Sequence, residues 1–255
     1  MTTGGGALRF ARYAYPPNEL GYCGPDASRQ LLEQVTAAVD DLGLRRLLRG
    51  FEGAWPYLKL IAHANAIADP LDARVVEAYW IGNDLLSRVG PRLMGDSLEL
   101  RFKDRTGPMW PRLSEAILVG ALPHHSFHVF GVYPWLGLLR EGRSVEPLHV
   151  LDRCRIRWGQ VVAVAPGEAV VRSSALEWDG RRLSLGAPRE ERAVLSTDGL
   201  GLAGGIRPGD WCSLHWDWVC ERLDPGQLRA LRRYTMGQLA GVNAAAHPAP
   251  GAVLA

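Results

Sequence analysis

Residues 209–224 read GDWCSLHWDWVCERLD, an alternation that predicts a β-strand leading into a helix. On an extended chain, one face of this strand carries the less polar side chains: Cys212, Leu214, Trp216 and Trp218. The other face carries Trp211, Ser213, His215 and Asp217. The stretch therefore predicts a single strand with Asp217 and His215 on one face. Asp217 is a candidate to orient the imidazole of His215, but a solvated charge is the simpler explanation.

A helix is predicted directly after this strand. Asp224 suits the N-cap and Pro225 the first helical position. Residues at helical spacing then follow at Leu228, Leu231, Thr235 and Leu239. The last third of the chain is thus expected to end in an amphipathic helix.

Residues 154–164, CRIRWGQVVAV, predict an upstream strand that opens with Cys154 and kinks or bulges at Gly159. The order of these features resembles that of the HypC/HupF family, small chaperones that assemble the iron centre of nickel-iron hydrogenases. The features that carry the resemblance are Cys154, Gly159, Val161-Val162, Gly209-Asp210-Trp211, His215 and the closing helix. The resemblance covers Cys154 to about Leu239.

The resemblance implies a small, OB-like β-barrel and a role in hydrogenase maturation. In that family a cysteine in the place of Cys154 holds an iron that carries cyanide and carbon monoxide, and a histidine in the place of His215 lies near it. A thiolate and a neutral imidazole also suit iron on chemical grounds. The implied cofactor is this iron intermediate, and the implied partners are the hydrogenase large-subunit precursor or other maturation proteins.

The chain as a whole is predicted to have an α+β fold. Helical patterns cover residues 26–42, 51–67, 91–103 and 111–119, and a further one starts after Asp72. From Leu148 onward short β runs alternate with turns such as Pro166-Gly167 and Asp179-Gly180. The predicted organisation is a mainly helical domain of unknown activity over residues 1–147, the β-barrel with its helix over 148–242, and a disordered tail over 243–255.

Three histidines, His124, His125 and His128, form a second candidate metal site in a stretch that predicts a strand. His124 and His128 share a face on a strand and on a helix alike, so two imidazoles can reach one ion in either case. Polar residues on a half-exposed strand are the simpler explanation.

A second function comes from Cys23. Cys23-Gly24-Pro25 before a predicted helix resembles the nucleophile segment of papain-like bacteriocin-processing peptidases, in which the helix N-terminus lowers the thiol pKa. His128 and Asp152 complete a Cys-His-Asp arrangement. The chain is on this hypothesis a cysteine-dependent hydrolase or transferase.

The composition limits which partners and which cellular location are expected for the chain. The net charge is +2 without a concentrated basic run, so neither nucleic acid nor a membrane surface is an expected partner. No apolar stretch approaches the roughly 20 residues of a membrane helix, and we expect a cytoplasmic protein whose four cysteines are thiols. Core packing is the default expectation for Trp211, Trp216 and Trp218, but a barrel too small to bury all three would leave an apolar patch for a partner protein.

Overall fold

The computed structural model describes residues 5–106, 121–143 and 145–244. Ten α-helices lie in this part of the chain: α1 (Gly6–Glu19), α2 (Ser28–Thr36), α3 (Leu42–Arg49), α4 (Trp55–Ala64), α5 (Ala73–Trp80), α6 (Pro91–Thr106), α7 (His125–Phe127), α8 (Trp135–Arg140), α9 (Val145–Cys154) and α10 (Pro225–Ala244). A 3₁₀ turn covers Asp84–Arg88, and a π-helical turn, His128–Val132, continues α7. Among the described helices, none has the length and apolarity needed to cross a membrane.

Nine strands follow α9 in the described residues: β1 (Arg157–Ala165), β2 (Glu168–Ser173), β3 (Leu176–Trp178), β4 (Leu183–Leu185), β5 (Arg189–Val194), β6 (Ser196–Thr197), β7 (Leu200–Gly201), β8 (Trp211–His215) and β9 (Trp218–Arg222). The chain therefore has a mainly helical N-terminal part, a β region and a C-terminal helix. This confirms the predicted α+β class.

Five of the strands pair in the order β1-β2-β5-β9-β8, and β8 returns to pair with β1. Neighbours are antiparallel except β5 and β9, which meet in parallel at the single pair Val194 and Trp218. The predicted turn at Pro166-Gly167 joins β1 to β2, with Gly167 at φ 79°. Asp179 accepts backbone hydrogen bonds from Arg181 and Arg182 in the predicted β3–β4 turn.

Helices with clear caps were predicted well. Asp224 accepts hydrogen bonds from the backbone of Gly226 and Gln227 at the start of α10, and Asp72 caps α5. The helix predicted over residues 26–42 is confirmed as α2, Ser28–Thr36, but it ends earlier than predicted, and Ala27 rather than Asp26 is its N-cap. Ala38, at φ 52°, turns the chain before α3 begins.

The stretch 209–224 is a hairpin rather than one strand. Trp216 and Asp217 form a two-residue turn between β8 and β9, in which His215 pairs with Trp218. Trp216 occupies the left-handed region at φ 50°. Its N–H donates to the Arg153 carbonyl at 2.8 Å, and its own carbonyl accepts from Arg157. These contacts explain how a tryptophan occupies a turn position that glycine or asparagine usually fills.

The predicted strand around residues 124–134 is also wrong. His124 caps α7 through Nδ1, which accepts from the Ser126 N–H at 3.1 Å. Every residue from His124 to Phe130 is buried. Aromatic and β-branched content therefore reflects burial here rather than a pleated conformation.

The largest cluster of buried apolar residues joins the helices to the β region. It includes Phe10 of α1 and Tyr57 of α4 together with Trp218 and Cys220 of β9. Helix α9 spans the predicted domain boundary at 147/148. In the predicted tail, residues 243–244 belong to α10 and the rest lies outside the described residues, as do those of the predicted helix over 111–119.

Candidate metal site

Three buried side chains, His125, Cys154 and His215, form a cluster at the junction of α7, α9 and β8. One ligand atom from each lies within 4.8 Å of those of the other two. Cys154 and His215 are the pair that the sequence singled out, and His125 is one of the three candidate histidines. Within the described residues, no further His, Cys, Asp or Glu joins this group.

His215 is oriented by a backbone carbonyl of α1. Its Nδ1 lies 2.6 Å from the Tyr13 oxygen, which can only accept, so Nδ1 carries the proton. Nε2 has no hydrogen-bond partner in the described part of the chain. Burial lowers the pKa of His215 well below its ordinary value, so the ring is neutral. Such a ring, with one nitrogen anchored and the other free, is what a metal-binding histidine requires.

His125 has a similar arrangement with the nitrogens exchanged. Its Nε2 donates to the Cys154 carbonyl at 2.8 Å, which leaves Nδ1 unprotonated. Nδ1 lies 3.2 Å from the Tyr79 hydroxyl, its present hydrogen-bond donor. Burial lowers the pKa of His125 to about 4. An ion bound at Nδ1 therefore displaces one hydrogen bond, from Tyr79.

Cys154 is the last residue of α9 and does not open a strand, since β1 begins only at Arg157. Its side chain is 5% exposed, and burial, together with the nearby Cys23, raises the pKa of the Cys154 thiol above its ordinary value. Burial and Cys23 both favour the neutral thiol. A bound cation would favour the thiolate, because its positive charge stabilises the negative sulfur.

A cavity of about 260 Å³ adjoins the cluster. Its lining includes Cys23, His125, His128, Tyr133, Cys154 and His215. The cluster thus has both its own ligand atoms and room for non-protein ligands beside them.

The other two histidines differ from His125. His124 caps α7, stacks on Tyr234 at a centroid distance of 5.3 Å and lies outside the cluster. His128 lines the cavity, yet it too stands outside the three-residue cluster.

The Cys-His-Asp arrangement is only partly assembled. Cys23 and His128 both line the cavity, but Asp152 does not. The Asp152 carboxylate instead accepts from Arg155 at 2.9 Å and from the Leu176 N–H at 2.8 Å. Burial raises the pKa of Cys23 to about 12, and α2 begins only at Ser28, so the predicted lowering by a helix N-terminus is wrong.

For two alternatives in the 209–224 stretch, the structure favours the simpler one. Asp217 points to Arg153 at 3.1 Å and is largely exposed, so the group that orients His215 is the Tyr13 carbonyl. Core packing, the default expectation for the tryptophans, is confirmed for Trp216 and Trp218, which are only 4% and 5% exposed.

Sequence reasoning named His125 only in a separate histidine site, did not join it to Cys154 and His215, and missed the orienting carbonyl. The four-residue spacing of His124 and His128 predicts that those two imidazoles share a face, and it gives His125 no such role. A backbone carbonyl such as that of Tyr13 leaves no residue-type signal at all.

The sequence model of the family DUF6390, described as a family of unknown function, matches residues 2–249 of the chain. No curated protein matches the chain, and no solved structure does.

Proposed function

The chain belongs to the DUF6390 family, whose function is unknown, and we propose from its own residues that it is a metal-binding accessory protein of nickel-iron hydrogenase maturation. The observation that carries this proposal is the convergence of Cys154 and His215, the two residues implied by the HypC resemblance, on one buried cluster with His125.

The donor set fits a transition-metal ion. One thiolate and two neutral imidazoles suit iron and also zinc, and the free Nε2 of His215 has a lone pair to give. Three protein ligands leave at least one coordination position open for a non-protein ligand. The adjoining cavity of about 260 Å³ offers space for the cyanide and carbon monoxide of an iron cargo.

The position of Cys154 suggests how this chain differs from the small chaperones it resembles. Their cysteine follows the initiator methionine at a free chain end, whereas Cys154 lies inside the chain and is buried. A buried site holds its cargo away from water. We therefore propose that release to the large-subunit precursor, or to the iron-loading complex, proceeds through the cavity.

Anaerobic co-purification with infrared spectroscopy tests the proposal, with Cys154→Ser as the site variant. Cys212→Ser is the matched control, because Cys212 is equally buried but packs in a different cluster. We expect cyanide and carbon monoxide stretching bands on the wild type and the control, and none on Cys154→Ser. Equal bands on all three proteins would reject Cys154 as the ligand. Absence of bands together with absence of any hydrogenase subunit would reject the function.

The second candidate is a cysteine-dependent hydrolase or transferase, favoured by the shared position of Cys23 and His128 on the cavity. Hydrogenase activation in cells separates the two. Loss with Cys154→Ala but not with Cys23→Ala supports the maturation role. Dependence of function on Cys23 alone supports the enzyme.

A further inference from the structure

A second cavity, of about 610 Å³, lies between α9 and the segment that runs from the end of β2 to β5. We call it the α9–β5 cleft; its lining residues fall within 145–153, 173–176 and 189–191. It shares no lining residue with the cavity beside the metal cluster. Cys154 lines the metal cavity, whereas Asp152 and Arg153 line the cleft from another face of α9. The cleft is therefore separate from the site proposed above.

Both carboxylates that line the cleft are bound by arginines. Asp152 accepts from Arg155 at 2.9 Å, and Glu191 accepts from Arg157 and, at 2.8 Å, from Arg153. The side chains of Arg155 and Arg157 are only 1% and 2% exposed, so these pairs are fixed parts of the cleft wall. Burial lowers the pKa of Arg155 to about 10, which leaves its guanidinium charged at neutral pH. The two acidic groups are thus neutralised from within the protein.

The cationic groups of the cleft are not fully used. Arg189, the first residue of β5, is exposed, and in the described part of the chain it has neither a hydrogen bond nor an ion pair. Arg153 makes its side-chain hydrogen bonds there through Nη1 alone, to Glu191 and Asp217, so Nε and Nη2 remain available. His149 also lines the cleft, and its ring has no hydrogen bond within the same residues. Donors without partners therefore meet at this cavity.

The balance of fixed charges indicates the charge of the missing partner. With histidine counted as neutral, the cleft and the groups bonded to it carry four guanidinium groups and three carboxylates, which leaves one positive charge: Arg153, Arg155, Arg157 and Arg189 against Asp152, Glu191 and Asp217. A monoanion matches this surplus, whereas a dianion leaves one negative charge uncompensated. The planar guanidinium fork binds a carboxylate through two parallel hydrogen bonds.

The rest of the cleft is apolar. Leu176 is 4% exposed and Leu148 is half-buried, and both line the cavity. Val145, at the start of α9, also lines it and is 84% exposed. Covering such side chains with an apolar chain removes hydrocarbon surface from water on both molecules. The lining thus suits a ligand that has an apolar part as well as a charge.

We propose that the α9–β5 cleft binds a monoanionic carboxylate with an apolar chain. Arg189 and the unused nitrogens of Arg153 hold the carboxylate, and the chain lies along Leu148 and Val145. The inference depends neither on the metal cluster nor on the proposed role in hydrogenase maturation.

Isothermal titration calorimetry of the purified full-length protein with octanoate tests this proposal. We expect octanoate to bind at least about tenfold more tightly than octanamide, which has the same chain without the charge. Shorter carboxylates should lose affinity by about threefold for each methylene removed, down to acetate. At about pH 8, where octyl phosphate is a dianion, it should bind no more tightly than octanoate.

Arg189→Gln is the site variant, because Arg189 has no partner in the described residues whose loss would disturb the fold. It should weaken octanoate binding about tenfold or more. Arg192→Gln is the matched control on the same strand, since Arg192 does not line the cleft and its side chain is 80% exposed. It should leave octanoate affinity within about twofold of the wild type.

Four results would each overturn the proposal. Absence of octanoate binding, or equal affinity for octanoate and octanamide, would reject a carboxylate site. Tighter binding of octyl phosphate would reject the monoanion and indicate a phosphate site. Equal losses in Arg189→Gln and Arg192→Gln would mean that the net charge of the protein, rather than the cleft, attracts the anion.

Discussion

Glu221 is a buried carboxylate of β9 that is hydrogen-bonded to two residues of α1. It is 6% exposed, and its Oε1 accepts hydrogen bonds from Arg9 at 2.6 Å and from the Tyr13 hydroxyl at 2.8 Å. Glu221→Gln keeps the shape but removes the charge that offsets Arg9. We expect the free energy of unfolding to fall by about 2–3 kcal/mol, measured by urea denaturation.

The exposed pair of Arg172 and Glu190 supplies the matched control, because its members are joined at 2.8 Å across neighbouring strands. Glu190→Gln should change the free energy of unfolding by less than about 1 kcal/mol, as solvent screens such pairs. Equal effects of Glu190→Gln and Glu221→Gln would mean that the buried carboxylate adds no more stability than a surface one.

Single residues differed in how far the sequence could predict them. Cys154 and His215 were identified because a thiol and an imidazole are unusual enough in kind to be matched to a family pattern. His125 was one of three candidate histidines within residues 124–128, and only the start of α7 decides which imidazole lies against Cys154. The Tyr13 carbonyl, which fixes the tautomer of His215, is a backbone group that every residue has.

Two helical glycines give a prediction at the level of elements. A Cβ at Gly6, the first residue of α1, would lie 1.9 Å from the Leu71 carbonyl oxygen, so α1 approaches the segment before α5 at backbone contact. Gly237 in α10 is exposed and a Cβ there meets nothing within 4 Å. Gly6→Ala should cost about 1–3 kcal/mol, whereas Gly237→Ala should stabilise by about 0.5–1 kcal/mol.

Thermal unfolding of the two variants checks the opposite signs. A rise in melting temperature for Gly6→Ala would mean that α1 does not depend on this close approach. A fall for Gly237→Ala would mean that α10 needs a glycine for a reason other than packing.

Elements with local signals were predictable, and elements without them were not. Helix α10 has a capping aspartate, a proline at its first position and a regular apolar stripe, all of which are local. The turn at Trp216 has no glycine or asparagine and is held by Arg153 and Arg157 from elsewhere in the chain. The local sequence shows side chains that alternate between two faces without interruption across this turn, so it predicts one strand instead of a hairpin.

At the scale of the molecule, the proposed site depends on distant segments. His125, Cys154 and His215 come from α7, α9 and β8, and the carbonyl that orients His215 comes from α1. The buried apolar cluster likewise joins α1 and α4 to β9. None of these segments can form the site by itself, so the ligand atoms converge only in the folded chain.

Metal binding is therefore expected to stabilise the whole chain rather than one part of it. An ion that binds the folded state alone raises the free energy of unfolding by about 2.7 kcal/mol when its free concentration is 100 times the dissociation constant. Zinc or cobalt should shift urea unfolding by this amount, with far-UV circular dichroism and tryptophan fluorescence giving coincident transitions. Cys154→Ser should lose the shift, and Cys212→Ser should retain it. A shift seen by only one of the two probes would mean that the helices and the β region unfold separately, and an equal shift in Cys154→Ser would place the bound ion elsewhere.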